Sequence, residues 1–499
     1  MVSSFFMQGV THMAGDFLSP TSVLVYLYAL FVVSLTIRIL LDNKAPEVSI
    51  AWLLAIYFLP YVGAGMYILG GINWKKRKIM KLLPEKTFET LLGPILEQQM
   101  DFLRNDWDSM DNDIAKSINL ALRAGNSIIT LYNQVTTYYE GRHFVEDLLS
   151  DLESAQDSIH LEVYIYRSDE LGRRIRDVLL RKAAEGVKVR LLFDGVGCFN
   201  KMSWKFKREL RESPIETRYF LDPMNVLSGR LLNYRNHRKI IVIDGQVGYT
   251  GGMNIGVEYI SGGRYFNSWR DTHIRLEGES VQLLQAVFLS DWYNSGGEMI
   301  QDQRFFPEEG RRRGRAAQLP MQIVCSGPDS DWNSLRMMYA NLIHNANHRI
   351  YIQSPYFVPE ATITNALTTA ALSGVDVNVM MTGVPDKRVP FWVAHTYFEE
   401  LLNAGVNIYL YQDGFFHSKT LCADSSIATI GSCNLDVRSF HLDYELNAFF
   451  YDVDIARQLE EKFHEYLRFC RKISRQDVDT MSIPKKLRNS FFRMIAPLL

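Results

Sequence analysis

Two stretches of this chain repeat each other, and that repetition limits the possible folds more than any other feature. Ser158–Gly197 and His348–Asp386 each open on a short β-branched run. Each continues through a polar turn into a helical pattern that stops near a glycine, Gly186 or Gly374, and closes on a second apolar run. Apolar runs separated by helical patterns predict βαβ units and a mainly parallel sheet, with a left-handed C-cap at each glycine. A second pair of segments follows: Asn236–Gly256 and Phe416–Asp436 read as hairpins turning at Asp244-Gly245 and at Asp424-Ser425-Ser426. The expected fold is therefore α/β, two similar halves related by a pseudo-two-fold, with one shared site at their seam.

The hairpins carry the chemistry. His237-x-Lys239-x4-Asp244-x6-Gly251-Gly252-x-Asn254 is matched by His417-x-Lys419-x4-Asp424-x6-Gly431-Ser432-x-Asn434, and the two histidines are 180 residues apart. On a strand, residues two apart share a face, so each half should present an imidazole beside an ammonium. Two of each in one pocket suit a phosphodiester. The lysines neutralise the non-bridging oxygens, one histidine attacks phosphorus and the other protonates the leaving alcohol. No metal is required, because the lysines supply the positive charge, and H-x-K also lacks the ligand spacing of zinc or magnesium sites. Asp244 and Asp424 sit at the turns, where they read either as participants or as turn-forming residues.

The first eighty residues have another character. Phe17–Ile37 holds no charge over 21 residues and Val48–Trp74 none over 27, each long enough to cross a hydrocarbon core. They read as a membrane hairpin, with a re-entrant pair, buried core helices or a cleaved leader as alternatives. The block Lys75, Lys76, Arg77, Lys78 and Lys81 places the rest of the chain in the cytoplasm. The expected domains are the hairpin (1–81), a first half (82–306), a basic surface linker (307–320), a second half (321–475) and a basic amphipathic tail (476–499) suited either to the membrane interface or to packing on the catalytic region. A net charge of −2 speaks against a nucleic-acid partner. Five scattered cysteines without C-x-x-C spacing speak against a zinc site or a disulfide framework.

The paired motif resembles that of the phospholipase D superfamily. The likeness to bacterial cardiolipin synthases extends further, through Ser49–Gly71, the repeat openings HLEVYIYRSDELG and IQSPYFVPE, and the ending SFFRMIAPLL. This resemblance implies His237 as nucleophile, His417 as general acid and then base, and Lys239 and Lys419 as the charge-stabilising pair. It implies Asn254 and Asn434, with Gly252 and Ser432, at the phosphate. It also implies that Glu445 and Asp271 orient the histidines, although Asp271 lies six residues further from its own half's histidine than Glu445 does. The reaction implied joins two phosphatidylglycerol molecules into cardiolipin and releases glycerol, without a cofactor, at an anionic bacterial inner membrane. A hydrolytic phospholipase D, a phosphatidylserine-synthase-like transferase with a nucleotide-activated donor, and a catalytically silent membrane scaffold are the alternatives.

Overall fold

The computed structural model describes residues 20–42, 46–71, 85–105, 110–221, 233–314 and 317–495. The chain divides into an N-terminal unit and a much larger catalytic unit.

In the N-terminal unit, Pro20–Leu41 is a single helix. Leu24, Val25 and Leu30 on it are exposed, and Ser22–Leu41 is long and apolar enough to cross a membrane. The second apolar run departs from the expected spanning helix. It forms Pro46–Phe58, breaks at Leu59, and resumes as Pro60–Met66 and a π-helical turn, Tyr67–Gly71. The cause is Pro60, which has no amide hydrogen and whose ring disfavours a helical residue before it. The turn is sharp enough that a side chain at Gly63 would overlap the Ala55 carbonyl. The two segments pack through Tyr28 on Tyr61, with ring centroids 4.6 Å apart, and Thr36 Oγ1 lies 3.2 Å from Tyr57 OH. Residues 17–19, 72–74, the basic block and the Pro-Leu-Leu ending lie outside the described residues.

The first half of the catalytic unit holds β1 (Ile129–Tyr138), β2 (Ser158–Val163), β3 (Lys188–Asp194), β4 (Glu216–Phe220), β5 (Arg235–Asn236), β6 (Ile240–Ile243), β7 (Val247–Gly251), β8 (Trp269–Arg270) and β9 (His273–Gly278). The second holds β10 (Gln318–Ser326), β11 (Arg349–Gln353), β12 (Phe357–Val358), β13 (Asp376–Thr382), β14 (Asn407–Tyr411), β15 (Phe415–Phe416), β16 (Thr420–Ala423), β17 (Ile427–Gly431), β18 (Leu435–Asp436), β19 (Asp443–Phe450) and β20 (Cys470–Lys472). The main sheet runs β20-β14-β13-β11-β16-β17-β19-β10-β1-β9-β7-β6-β2-β3-β4. Apart from the edge strand β20, this order is a palindrome about the antiparallel β1–β10 pair, which is the pseudo-two-fold written in strands.

The sheet is mixed rather than mainly parallel. β2-β3-β4 and β11-β13-β14 are parallel, as βαβ units require. The inner strands are antiparallel, because β6–β7 and β16–β17 are tight hairpins. Asp244 and Gly245 have φ of 53° and 62°, and Asp424 and Ser425 have 51° and 52°, the doubly left-handed turn that matches strand twist. Gly186 and Gly374 cap their helices at φ 98° and 96°.

Helices bury one stripe each against the sheet. In Gly141–Ser154, Phe144, Leu148 and Leu152 recur every four residues and are fully buried, each contributing about 1.5–3 kcal/mol. One core cluster contains Ile274, Leu276 and Leu284 from the first half with Ile323, Leu446 and Phe463 from the second, so the halves share a core. The expected linker contains a helix, Glu308–Arg313, whose buried Gly310 lies close to the Gly245 carbonyl at the β6–β7 turn. In the tail helix, Ile483–Ile495, Ile483, Leu487 and Phe491 are exposed, while Phe492 packs on Trp392 at 5.2 Å and Asn489 is buried.

Candidate active site

The two H-x-K segments lie between short strands rather than within one, and those short strands decide their surroundings. β5, immediately before His237, pairs not with its own half but with the start of β19, Asn236 opposite Tyr444. β15, immediately before His417, pairs with β8, Phe416 opposite Arg270. The amide of His237 donates to Tyr444 O at 2.9 Å, and that of His417 donates to Arg270 O at 2.7 Å. Each histidine is thereby set beside the residue that follows its partner: Glu445 for His237 and Asp271 for His417.

His237 Nδ1 lies 3.0 Å from both oxygens of Glu445 and 3.1 Å from Ser432 O. His417 Nδ1 lies 2.6 Å from Asp271 Oδ2. Distance along the sequence pairs each acid with the histidine of its own half; the structure pairs them across the seam. Every partner of His237 Nδ1 is an acceptor, so that nitrogen carries the hydrogen and Nε2 keeps its lone pair. Lys419 Nζ is also 2.8 Å from His417 Nδ1. One nitrogen cannot donate to the carboxylate and accept from the ammonium together. The shorter carboxylate contact takes the Nδ1 hydrogen, and the lysine donates to the His417 carbonyl. Both imidazoles then carry a free Nε2.

The lysines are held in the same way in both halves. Lys239 Nζ donates to His237 O at 2.6 Å, so the ammonium curls back to its own histidine without help from strand alternation. Both lysines are 1% exposed, while His237 and His417 keep 8% and 7%, so the imidazoles are what a substrate meets first. Burial pushes Lys239 down to about 7 against the pull of Glu445, and Lys419 down to about 8 against that of Asp271. Burial and the neighbouring Lys239 and Lys419 charges hold His237 well below an ordinary histidine. Burial and Lys419 push His417 down to about 4 against Asp271. The two acids differ. Burial raises Glu445 to about 7 despite Lys239. At Asp271 burial acts the same way but is outweighed by Lys419 and His417, and the carboxyl falls below its ordinary range. An ionised Asp271 favours a protonated His417 more than Glu445 favours a protonated His237.

The remaining motif residues divide into those at the pocket and those away from it. Asn254 accepts from Ile165 N at 3.0 Å and donates to Tyr259 OH at 2.8 Å. Asn434 donates to Ser439 Oγ at 3.3 Å, and among the described residues its buried oxygen has no hydrogen-bond partner. Gly252 and Ser432 lie against the two acids. A side chain at Gly252 would overlap the Asp271 carboxylate, and the Ser432 hydroxyl donates to Glu445. Asp244 and Asp424 are removed from the chemistry. Asp244 accepts from the amides of Gln156, Asp157 and Ser158 at 2.7–2.8 Å; Asp424 accepts from those of Asn347, His348 and Arg349 at 2.6–2.8 Å. Each lies five residues beyond its lysine along an extended strand, roughly 16 Å away, and clamps the entry to β2 or β11. These bonds are the ones that the turn-forming reading expects.

A family model described as "Cardiolipin synthase, PLD-like domain" matches residues 148–292 and 339–467, one range in each half. This chain belongs to the cardiolipin synthase family of phospholipase D-like enzymes. A second model, a phospholipase D-nuclease N-terminal region, matches residues 24–71. The major cardiolipin synthase of Bacillus subtilis strain 168 is 38% identical over 493 residues, covering 97% of this chain and all of that one. Cardiolipin synthase 2 of Bacillus cereus is 38% identical over 467 residues, covering 92% of this chain and 88% of the relative. Phosphatidylserine synthase from Haemophilus influenzae Rd KW20 superposes with a TM-score of 0.58 at 16% identity, over 77% of this chain and 100% of that one, and shares its fold.

This cardiolipin synthase family member also uses residues that the motif does not mark. The Tyr164 ring stands edge-on to His237 at 4.8 Å, and Trp269 lies 5.2 Å from His417. Asp194, at the end of β3, accepts from Asn236 N at 2.8 Å and so ties β5 to its own half while β5 pairs with β19 of the other. Arg238, between His237 and Lys239, pairs with buried Asp291 at 2.5 Å. Asp194 precedes a Gly-Val-Gly turn and Arg238 interrupts the motif, but neither pattern reveals its partner.

Proposed function

We propose that the protein transfers the phosphatidyl group of one phosphatidylglycerol to another, giving cardiolipin and glycerol. The observation that carries this reading is the crossed pairing. Two imidazoles with free Nε2 atoms, each backed by a carboxylate, flank two buried ammonium groups. The names of the full-length relatives supply the lipid.

In the first step His237 Nε2 attacks phosphorus, the bond to glycerol breaks, and His417 protonates the leaving alkoxide. Lys239 and Lys419 neutralise the non-bridging oxygens where charge accumulates, and Asn254 and Asn434 complete the phosphate cradle. A bound anion offsets the lysine charges that depress His417, so substrate binding favours its imidazolium against Asp271. In the second step neutral His417 takes the proton of the acceptor's terminal hydroxyl, whose oxygen displaces His237 from phosphorus. The ionised Asp271 supports His417 in the acid–base role and leaves His237 as nucleophile. One phosphodiester replaces another, so no nucleotide is consumed. The apolar N-terminal unit holds the enzyme in an anionic inner membrane, multi-pass, with the catalytic unit on the cytoplasmic side.

The test is mass spectrometry of lipids after incubating purified protein with phosphatidylglycerol vesicles. Cardiolipin and glycerol in equal amounts, lost in His417→Ala, is the expected result. Phosphatidic acid without cardiolipin would make water the acceptor and overturn the transferase reading.

A further inference from the structure

The halves share their catalytic groups but differ at the rim. After β3 the chain reads Asp194-Gly195-Val196, and after β13 it reads Thr382-Gly383-Val384. β2 pairs with β3, and β11 with β13, in corresponding registers, so the loops beyond them are equivalent. Counting on from the shared Gly-Val, Phe199 of the first half corresponds to Lys387 of the second. One loop presents an aromatic ring, and the other an exposed Lys387 followed by an exposed Arg388.

The second loop is anchored beside the catalytic groups. Asp386 accepts from Tyr356 OH at 2.7 Å, and the Lys387 ammonium lies over the Tyr356 ring, 5.4 Å from its centroid. The Tyr356 carbonyl accepts from Ser354 Oγ at 2.7 Å, and that hydroxyl accepts from Leu435 N at 3.0 Å, next to Asn434. The Lys387 charge reaches His237 and that of Asp386 reaches Lys419. Among the described residues no carboxylate pairs with Lys387 or Arg388. By contrast, Arg167 pairs with Glu258 at 2.8 Å and Arg438 with Asp443 at 3.3 Å.

The reaction needs a cation there. In the product the two phosphorus atoms are joined through a three-carbon bridge of six bonds; three bonds span about 3.8 Å, so six span about 7 Å. The acceptor must therefore bring a second anion within that distance of the attacked phosphorus. Lys239 and Lys419 are committed to the first, and the two anions repel in a low-dielectric pocket. We propose that Lys387 and Arg388 form the acceptor-phosphate subsite, binding the phosphodiester of the second phospholipid while its terminal hydroxyl attacks. This rests on the transferase reading above and explains how the site selects a phosphorylated alcohol over glycerol or water. Asp386 cancels part of the charge, and its bond to Tyr356 fixes the loop that carries the two cations.

The full chain in mixed micelles with phosphatidylglycerol is offered labelled glycerol and glycerophosphoglycerol, the deacylated head group, together. Products are cardiolipin, labelled phosphatidylglycerol and the head-group adduct. In Lys387→Gln/Arg388→Gln, the yields of cardiolipin and of the head-group adduct relative to labelled phosphatidylglycerol should each fall about tenfold, the loss of a charge-assisted contact. Lys387→Arg/Arg388→Lys should restore both ratios. Lys201→Gln, which removes a charge from the other half's loop, should leave them at the unsubstituted value. Unchanged ratios in the double variant, an equal fall with all acceptors, an equal fall in Lys201→Gln, or a fall confined to the acylated acceptor would overturn the subsite. Phosphatidic acid as the sole product of the unsubstituted enzyme would instead sink the transferase reading and the subsite with it, an outcome distinct from unchanged ratios in an enzyme that transfers.

Discussion

His237 Nδ1 lies 3.0 Å from both carboxylate oxygens of Glu445, a residue 208 positions further along the chain. Its counterpart, His417 on Asp271, spans 146 positions in the opposite sense. Neither half contains an oriented imidazole by itself. The duplication builds one site by exchange, each half fixing the tautomer of the other's histidine.

The exchanged acids should therefore matter through their own histidines. Glu445→Gln and Asp271→Asn keep the shape and remove the acceptor that holds Nδ1–H. Each is expected to lower kcat by about 10²–10⁴, the range seen when an imidazole loses its orienting carboxylate, with circular dichroism unchanged. Asp271→Asn should be the more damaging, because Asp271 sits below and Glu445 above the ordinary carboxyl range. Steady-state cardiolipin formation measures both, and an equal or reversed order contradicts the assignment of roles.

Gly252 and Ser432 occupy matching positions but are not interchangeable. A side chain at Gly252 would overlap Asp271, displacing the carboxylate from His417. Gly252→Ala is expected to cost at least about 10² in kcat, whereas Ser432→Ala removes one hydrogen bond to Glu445 and should cost about tenfold or less. Parallel rate measurements on the two variants check this.

Substitution of the motif aspartates should be read in stability. Each of Asp244 and Asp424 accepts three backbone amides at the start of a buried strand. Alanine at either leaves those amides without their acceptor and should cost about 2–3 kcal/mol. Thermal unfolding of the purified variants would show it, and the fraction that remains folded should keep near-normal turnover.

The lysines set an alkaline limit. Lys239 and Lys419 are pushed down to about 7 and about 8. A lysine is charged below its pKa, so transition-state stabilisation is present at low pH and is lost as pH rises through these values. kcat/KM, which reports the free enzyme, should fall on a limb between about pH 7 and 8. The apparent values belong to the coupled site rather than to one lysine. A plateau reaching pH 10 would contradict the burial of both ammonium groups.

Much of the site is legible in the chain. The paired motif, the left-handed turns at Asp244 and Asp424, and the caps at Gly186 and Gly374 follow from local chemistry that a sequence displays directly. The crossed pairing does not. It depends on β5 and β15, two residues each, which are too short to show any periodicity and whose partners lie in the other half. Counting along the chain therefore refers Asp271 and Glu445 to the wrong histidines. Pro60 is visible in the sequence, but membrane helices tolerate proline, so the break it causes is not. The helix at Glu308–Arg313 carries acids in its first turn and arginines in its last, a dipole pattern that its charge run and glycines obscure.

The most direct test of a single composite site uses a phosphatidyl ester of p-nitrophenol, whose departure needs no general acid. In His417→Ala a composite site predicts a burst of one p-nitrophenol per chain, followed by near-arrest, with the phosphatidyl group on His237 in the acid-quenched protein. Two equivalents per chain, label on another residue, or sustained turnover without His417 would show that the halves work separately and would contradict a site built by exchange.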